Sequence, residues 1–304
     1  MPLRIGLIGV PSSAGAHGPG QEKAPSVLRK AGLIGALRTA GLELEDLGDL
    51  PVARFQPDRA NRKQQSASRV TKVAGQVADA VGRAVERDVV PLVIGGDCTI
   101  TLGVIAGLLR RQSDLGLMYF DGDADLTTPE TTHSGIFDSM GVAHLIGDGA
   151  PELAHIGPRY PLLPQDRIAL FGFHPYEIEP AEAALLERSA MLRYPVTSLD
   201  DRPVDFASEA LACLEERSGA VAVHFDVDVM DSAEIPLADW PHYDALSFGD
   251  AMRCLSVFVG SSRLAALVVT EINPDHDPEG LLVRQFIDAF ADALRPVAAN
   301  AARR

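Results

Sequence analysis

Three aspartates alternate at Asp121, Asp123 and Asp125, directly after the apolar run Leu115-Gly116-Leu117-Met118-Tyr119-Phe120. A strand that ends this way gathers carboxylates at one sheet edge, where they repel one another unless a cation sits among them. The pattern returns in Phe225-Asp226-Val227-Asp228-Val229-Met230-Asp231, after Ala220-Val221-Ala222-Val223. Two acidic strand ends far apart in sequence point to one shared site for more than one metal ion. Cys98, in Gly95-Gly96-Asp97-Cys98-Thr99, follows a third apolar run and could add a thiolate. Glu271 heads Glu271-Ile272-Asn273-Pro274 after a fourth, where a carboxylate could anchor a cationic substrate.

The elements that must position these residues follow from the alternation of short apolar runs with longer helical patterns. Strands are expected at 4–10, 42–47, 89–94, 115–121, 167–172, 220–226 and 264–271. Helices are expected near 24–40, 66–88, 99–111, 180–190, 204–217, 247–259 and 280–295. This alternation predicts an α/β fold with a mostly parallel central sheet covered on both faces. The continuous, non-alternating apolar character of the strands agrees with it. Ligands of such sheets bind beyond the carboxyl ends of the strands, where both acidic clusters and Cys98 fall. The stretches 57–66 and 148–166 read as irregular surface segments, neither able to divide the chain, so residues 1–304 are expected to form one domain.

A net charge of −15 argues against nucleic acid or an anionic membrane as partner and suits a small cationic or polar substrate. Three cysteines make no disulfide framework, and no segment has the length or character of a signal peptide or membrane span. These features predict a soluble, cytoplasmic protein. Gly15, Gly18 and Gly20 do not form a dinucleotide-binding G-x-G-x-x-G, and no P-loop follows them. Leu126 and Thr132 stand where an EF-hand opening at Asp121 needs Gly and Glu.

Together these segments resemble the ureohydrolase superfamily of arginases and agmatinases, binuclear manganese enzymes on a three-layer α/β/α fold. The resemblance runs from Gly9-Val10-Pro11 and Ala24-Pro25-Ser26-Val27-Leu28-Arg29 to Glu271-Ile272-Asn273-Pro274. Gly95-Gly96-Asp97-Cys98-Thr99 stands where the family has G-G-D-H-S, and Asp121-Gly122-Asp123-Ala124-Asp125 where it has D-A-H-x-D. The 225–231 segment matches F-D-x-D-x-x-D. The resemblance implies two divalent ions, manganese with zinc as the alternative. Cys98, Asp121, Asp125 and Asp226 would hold the first; Asp121, Asp123, Asp226 and Asp228 the second. It further implies that Asp125 orients the attacking water and Glu271 holds the guanidinium-like end of the substrate. Ser134 would open the substrate loop, and Glu177 lies near the acid that receives an α-amino group. The trimers and hexamers among such enzymes imply that a homo-oligomer is open to this chain as well.

The departures are as informative. Cys98 and Asp123 replace the two histidine ligands, so the implied metal shell holds no imidazole. Ile136 and Asp138 replace the asparagine and the proton-transfer histidine of the S-G-N-x-H-G loop, with exposed-looking His133 the nearest substitute. A hydroxyarginine-hydrolysing branch of antibiotic biosynthesis shares the cysteine and lacks the same histidine. The best match is thus hydrolysis of Nω-hydroxy-L-arginine to L-ornithine and hydroxyurea. The alternatives are an arginase- or agmatinase-type hydrolase of another guanidine, releasing urea, or a non-catalytic binding relative that keeps the fold.

Overall fold

The structure is a computed structural model that describes residues 3–303, with side chains through residue 299. Eight strands form one sheet in the order β2-β1-β3-β8-β7-β4-β5-β6, and every neighbouring pair is parallel. They are β1 (Arg4–Gly9), β2 (Glu43–Asp49), β3 (Val89–Ile94), β4 (Leu115–Phe120), β5 (Ile168–Phe171), β6 (Leu192–Tyr194), β7 (Ala220–Asp226) and β8 (Leu264–Thr270). The helices are α1 (Ala24–Lys30), α2 (Leu33–Thr39), α3 (Ala67–Glu86), α4 (Ile100–Leu108), α5 (Gly141–Leu145), α6 (Pro151–Ala154), α7 (Pro180–Arg188), α8 (Pro203–Glu215), α9 (Phe248–Val259), α10 (Leu281–Ala293) and α11 (Arg295–Arg303).

Period-two alternation divides each central strand between two cores. On β7, Val221, Val223 and Phe225 enter the core shared with α1, α2, α8, α9 and α10, while Ala220 and Ala222 enter the one shared with α3, α4 and α7. The result is the expected three-layer α/β/α arrangement. On the second face α3 and α4 pack closely because Gly103 and Gly107 bring backbone against backbone. A Cβ on Gly103 would lie 2.4 Å from the Ala74 carbonyl oxygen, and one on Gly107 would lie 2.7 Å from that of Ala78. This contact seats α4, whose first turn enters the site described below.

The short helices α5 and α6 have no counterpart in the sequence expectation, α6 lying within the stretch 148–166 that reads as irregular, and three further details differ from it. The helix expected at 24–40 is broken in two at Gly32, whose φ of 104° ends α1 in the left-handed region that glycine adopts freely. The edge strand β6 spans three residues, too few to give a periodic signal. A further helix, α11, follows α10 with Pro296 in its first turn, a position that proline tolerates.

Candidate metal centre and active-site pocket

The four central strands of the sheet, β3, β8, β7 and β4, carry the chemistry at their carboxyl ends. After β3 the chain passes Gly96, where a Cβ would lie 2.0 Å from the Ser12 carbonyl oxygen, so only glycine fits. The Asp97 carboxylate then accepts from Ser12 Oγ (2.9 Å), Gly15 N (3.1 Å) and Thr99 N (3.2 Å), pinning the turn that presents Cys98. The β4–β7 register pairs Phe120 with Phe225, so Asp121 and Asp226 leave their strands side by side. Each spends Oδ1 on a backbone amide two residues on: Asp123 N donates to Asp121 (2.7 Å) and Asp228 N to Asp226 (2.8 Å). Gly122 N likewise donates to Asp228 Oδ1 (3.0 Å).

Among the described residues, three groups of side chains converge closely enough to ligate an ion. The first is Cys98, Asp121, His224 and Asp226; the second is Asp123, Asp228 and His242; the third joins Cys98 to Asp138 and Glu271. Cys98 Sγ stands 2.6 Å from Asp226 Oδ2 and 3.7 Å from His224 Nε2. His224 Nε2 is 3.2 Å from Asp121 Oδ2, and its Nδ1 pairs with the Thr101 hydroxyl of α4 at 2.7 Å. His242 Nδ1 pairs with Glu177 at 2.9 Å. Its buried Nε2 has no hydrogen-bond partner of acceptable geometry and faces Asp123 Oδ2 and Asp228 Oδ2 at 3.4 and 3.7 Å.

The electrostatics call for cations. Burial, followed by mutual repulsion, pushes Asp121 and Asp226 well above the usual carboxylate range, with Asp228 the leading repulsive neighbour of both. Burial and then Asp123 do the same to Asp125; burial and then Asp138 do so to Glu271. Burial and then Asp226 push the Cys98 thiol up. Burial lowers His224 to about 3. For His242 burial opposes the charge, but Asp123 and then Asp228 outweigh it and raise the ring to about 11. Packed carboxylates, a neutral imidazole and an unpaired ring nitrogen fit divalent ions, whose charge would make the thiolate and both carboxylate pairs favourable.

The remaining expected residues are distributed as follows. Asp125 stands outside all three groups: its backbone is left-handed (φ 50°) and its Oδ2 accepts a hydrogen bond from the Tyr119 hydroxyl. Asp138 Oδ1 accepts from Cys98 N at 2.7 Å, and burial and then Asp97 raise its pKa well above the carboxylate range. Glu271, also left-handed (φ 66°), accepts from Gln21 Nε2, which in turn reaches Asp239 Oδ2 at 3.1 Å. Gln21 Oε1 is buried and has no partner. Ser134 Oγ, 3.4 Å from Thr132 Oγ1, and exposed His133 line the same cavity. Glu177 lines it too, with one carboxylate oxygen on His242.

The resemblance implies a shell without imidazole, and two histidines nevertheless stand beside the expected ligands. Positions 98 and 123 lack histidine, yet His224 and His242 reach the same carboxylates from elsewhere. His224 was legible in principle, two residues before Asp226 and so on the same strand face. His242 and Gln21 gave no sequence signal; a long connection and a short helical turn carry them in.

Cys98 and the carboxylates of these groups line one cavity of about 690 Å³; His224 and His242 do not line it. Among the described residues that line it, the charged side chains other than histidine are all Asp or Glu, with no Lys or Arg.

The pattern of the arginase family matches residues 3–293. The arginase of Bacillus caldovelox is 27% identical over 273 residues, covering 89% of this chain and 91% of that protein. Arginase-1 of Homo sapiens is 28% identical, covering 89% of this chain and 85% of that protein. The solved structure of the Bacillus caldovelox arginase superposes with a TM-score of 0.89 at 26% identity, over 97% of this chain and 98% of that one.

Proposed function

This chain belongs to the arginase family, and on that premise we propose that its cavity hydrolyses a guanidine of the arginine or agmatine type, releasing urea and an amine. The observation that carries the reading is Glu271 beside Gln21, whose Nε2 donates to it and whose buried Oε1 has no partner, in a cavity whose charged side chains other than histidine are all acidic. Two buried acceptors side by side suit a planar group with several N–H donors. The acidic lining away from the metal groups favours a cationic substrate over an anionic one.

Two divalent ions, once bound, would supply Lewis acidity and activate water. Manganese fits the oxygen-rich group around Asp123 and Asp228; zinc suits the thiolate of the first group. The chain's own residues would do the rest. Glu271 and Gln21 hold the guanidinium nitrogens. Asp125, fixed by Tyr119, orients the water whose oxygen joins the central carbon. The bond from that carbon to the chain-bearing nitrogen breaks, and this nitrogen leaves with a proton. Asp138, at the cavity wall, would relay that proton. Ser134 and Thr132 offer neutral hydroxyls to the far end of the substrate. Free Cys98, Cys213 and Cys254 support a reducing compartment such as the cytoplasm.

Cys98 and Asp138 favour a second reading, Nω-hydroxy-L-arginine as substrate. A hydroxyguanidine is less basic, so more of it is neutral and open to attack, and it depends less on an enzymic acid. Manganese-loaded protein incubated separately with L-arginine, agmatine and Nω-hydroxy-L-arginine would decide. Urea from either of the first two supports the main reading. Hydroxyurea alone moves the assignment to the second. Turnover of none would leave a binding relative of the fold.

A further inference from the structure

We propose that His224 and His242 are metal ligands, one for each ion, restoring from two new places the imidazoles that positions 98 and 123 lack. The inference rests on the binuclear reading of the site but not on the identity of the substrate.

His242 makes the stronger case. It is 1% exposed, and its Nε2 is buried, unpartnered and aimed between the carboxylates of Asp123 and Asp228. A buried ring nitrogen is rarely left so without a ligand. Its other nitrogen is held at 2.9 Å by Glu177. A carboxylate behind a histidine is the arrangement that fixes the tautomer and ring of a metal-binding imidazole. The alternative is an imidazolium whose Nε2–H is shared between Asp123 and Asp228 at 3.4 and 3.7 Å, which differs from a ligand in carrying a proton on both nitrogens.

His224 repeats the arrangement with a hydroxyl as the rear partner. Its Nδ1 sits 2.7 Å from Thr101 Oγ1, and its Nε2 faces Asp121 Oδ2 at 3.2 Å and Cys98 Sγ at 3.7 Å. Those separations are close to the edges of a tetrahedron of nitrogen, sulfur and oxygen ligands, about 3.3–3.7 Å. The 2.6 Å contact of Cys98 Sγ with Asp226 Oδ2 must open for an ion to enter. The bland alternative is a satisfied core histidine whose Nε2–H donates to Asp121. The two differ in tautomer, because a ligating Nε2 requires the proton on Nδ1.

The donor sets then become unequal. Cys98, Asp121, His224 and Asp226 offer sulfur, nitrogen and two oxygens; Asp123, Asp228 and His242 offer nitrogen and oxygen alone. The thiolate group should take a soft ion first.

The test loads histidine-¹⁵N-labelled protein with ¹¹³Cd²⁺ and reads metal–nitrogen coupling by NMR, alongside binding stoichiometry by calorimetry. The expected result is two bound ions, each coupled to one imidazole Nε2, with the thiolate-shifted cadmium signal appearing first. His242→Ala should lose one coupling and bind one ion. His224→Ala should lose the other and weaken the first-filling ion at least tenfold. Glu177→Gln, which leaves His242 in place, should weaken the second ion ~10–100-fold. Circular dichroism and melting of each variant separate misfolding from ligand loss, and the wild-type couplings need no variant at all. Two ions bound without coupling to His224 or His242 would overturn the proposal. Failure of any ion to bind would overturn it together with the metal chemistry above. Coupled ions in a protein that turns over no guanidine would uphold it and remove only the proposed substrate.

Discussion

The ring of Tyr119 lies flat on that of His224, with centroids 4.1 Å apart and planes 4° from parallel. The β4–β7 register sets the two opposite each other. Through this stack one buried tyrosine touches two parts of the site, its face against His224 and its hydroxyl on Asp125.

Tyr119→Phe separates these roles, since it keeps the stack and removes the hydroxyl. Asp125 loses its donor and is free to rotate. We expect kcat to fall ~10–100-fold, the usual effect of removing such a partner, with KM within a factor of two. Steady-state kinetics checks this; a raised KM at constant kcat would instead place Asp125 in substrate binding.

Gln21→Leu removes the unpartnered acceptor beside Glu271 and two hydrogen bonds from its own amide. A lost hydrogen bond to a charged group costs about 1.5–3 kcal/mol, so KM for the guanidine should rise ~10–100-fold while kcat changes little. Glu271→Gln removes a charge opposite the guanidinium and should lower kcat/KM further. Equal KM values in Gln21→Leu and wild type would remove Gln21 from the site.

Metal removal should carry a pH signature. Asp121, Asp125, Asp226 and Glu271 all have folded-state pKa values raised above their ordinary ones. Their stability contribution without metal is therefore full below the ordinary carboxylate range and is lost as pH rises through the raised values. Chelation should lower Tm, and the gap between loaded and stripped protein should widen as pH rises from the ordinary carboxylate range through the raised values. A gap independent of pH would contradict the carboxylate origin of the effect.

His144 gives the opposite slope at a distance from the metal groups. Fully buried, it pairs Nδ1 with the Met140 carbonyl oxygen (2.6 Å) and accepts from Ala150 N at Nε2 (3.0 Å); burial lowers it to about 4. The unfolded chain, near 6.5, binds the proton first, so stability is present above pH 6.5 and lost as pH falls towards 4. The full loss is roughly 3 kcal/mol. Denaturant melts of the metal-loaded protein between pH 7 and 4.5 should show it, and His144→Gln should flatten that limb.

Seven of the eight strands and the two acidic strand ends were legible in the sequence, because an apolar run that stops on aspartate carries its own signal. Asp121, Asp226 and Cys98 meet as that signal implies. What was not legible depends on chain return. His242 arrives from the irregular stretch after β7, tied back by Ser232 N donating to the His242 carbonyl oxygen at 2.9 Å, with no periodicity to announce it. Glu177 lies near the α-amino position only by the family resemblance, and its contact with His242 through one oxygen has no trace in the sequence. Asp125 is a ligand only by the family resemblance; its backbone is left-handed and its Oδ2 accepts from the Tyr119 hydroxyl, a contact with no trace in the sequence.

Asp125 and Glu271 share one further property, their positive φ values of 50° and 66°. Glycine would adopt either conformation freely, whereas a side chain there costs about 1 kcal/mol or more. Each position also adds a buried carboxylate to a crowd of like charges. Backbone strain and like-charge crowding at both positions work against the stability of the metal-free fold, offset in part by the hydrogen bonds from Tyr119 and Gln21. Asp125→Gly and Glu271→Gly should each end turnover, and a raised melting temperature of the metal-free variants would show that strain and repulsion there outweigh the lost hydrogen bonds.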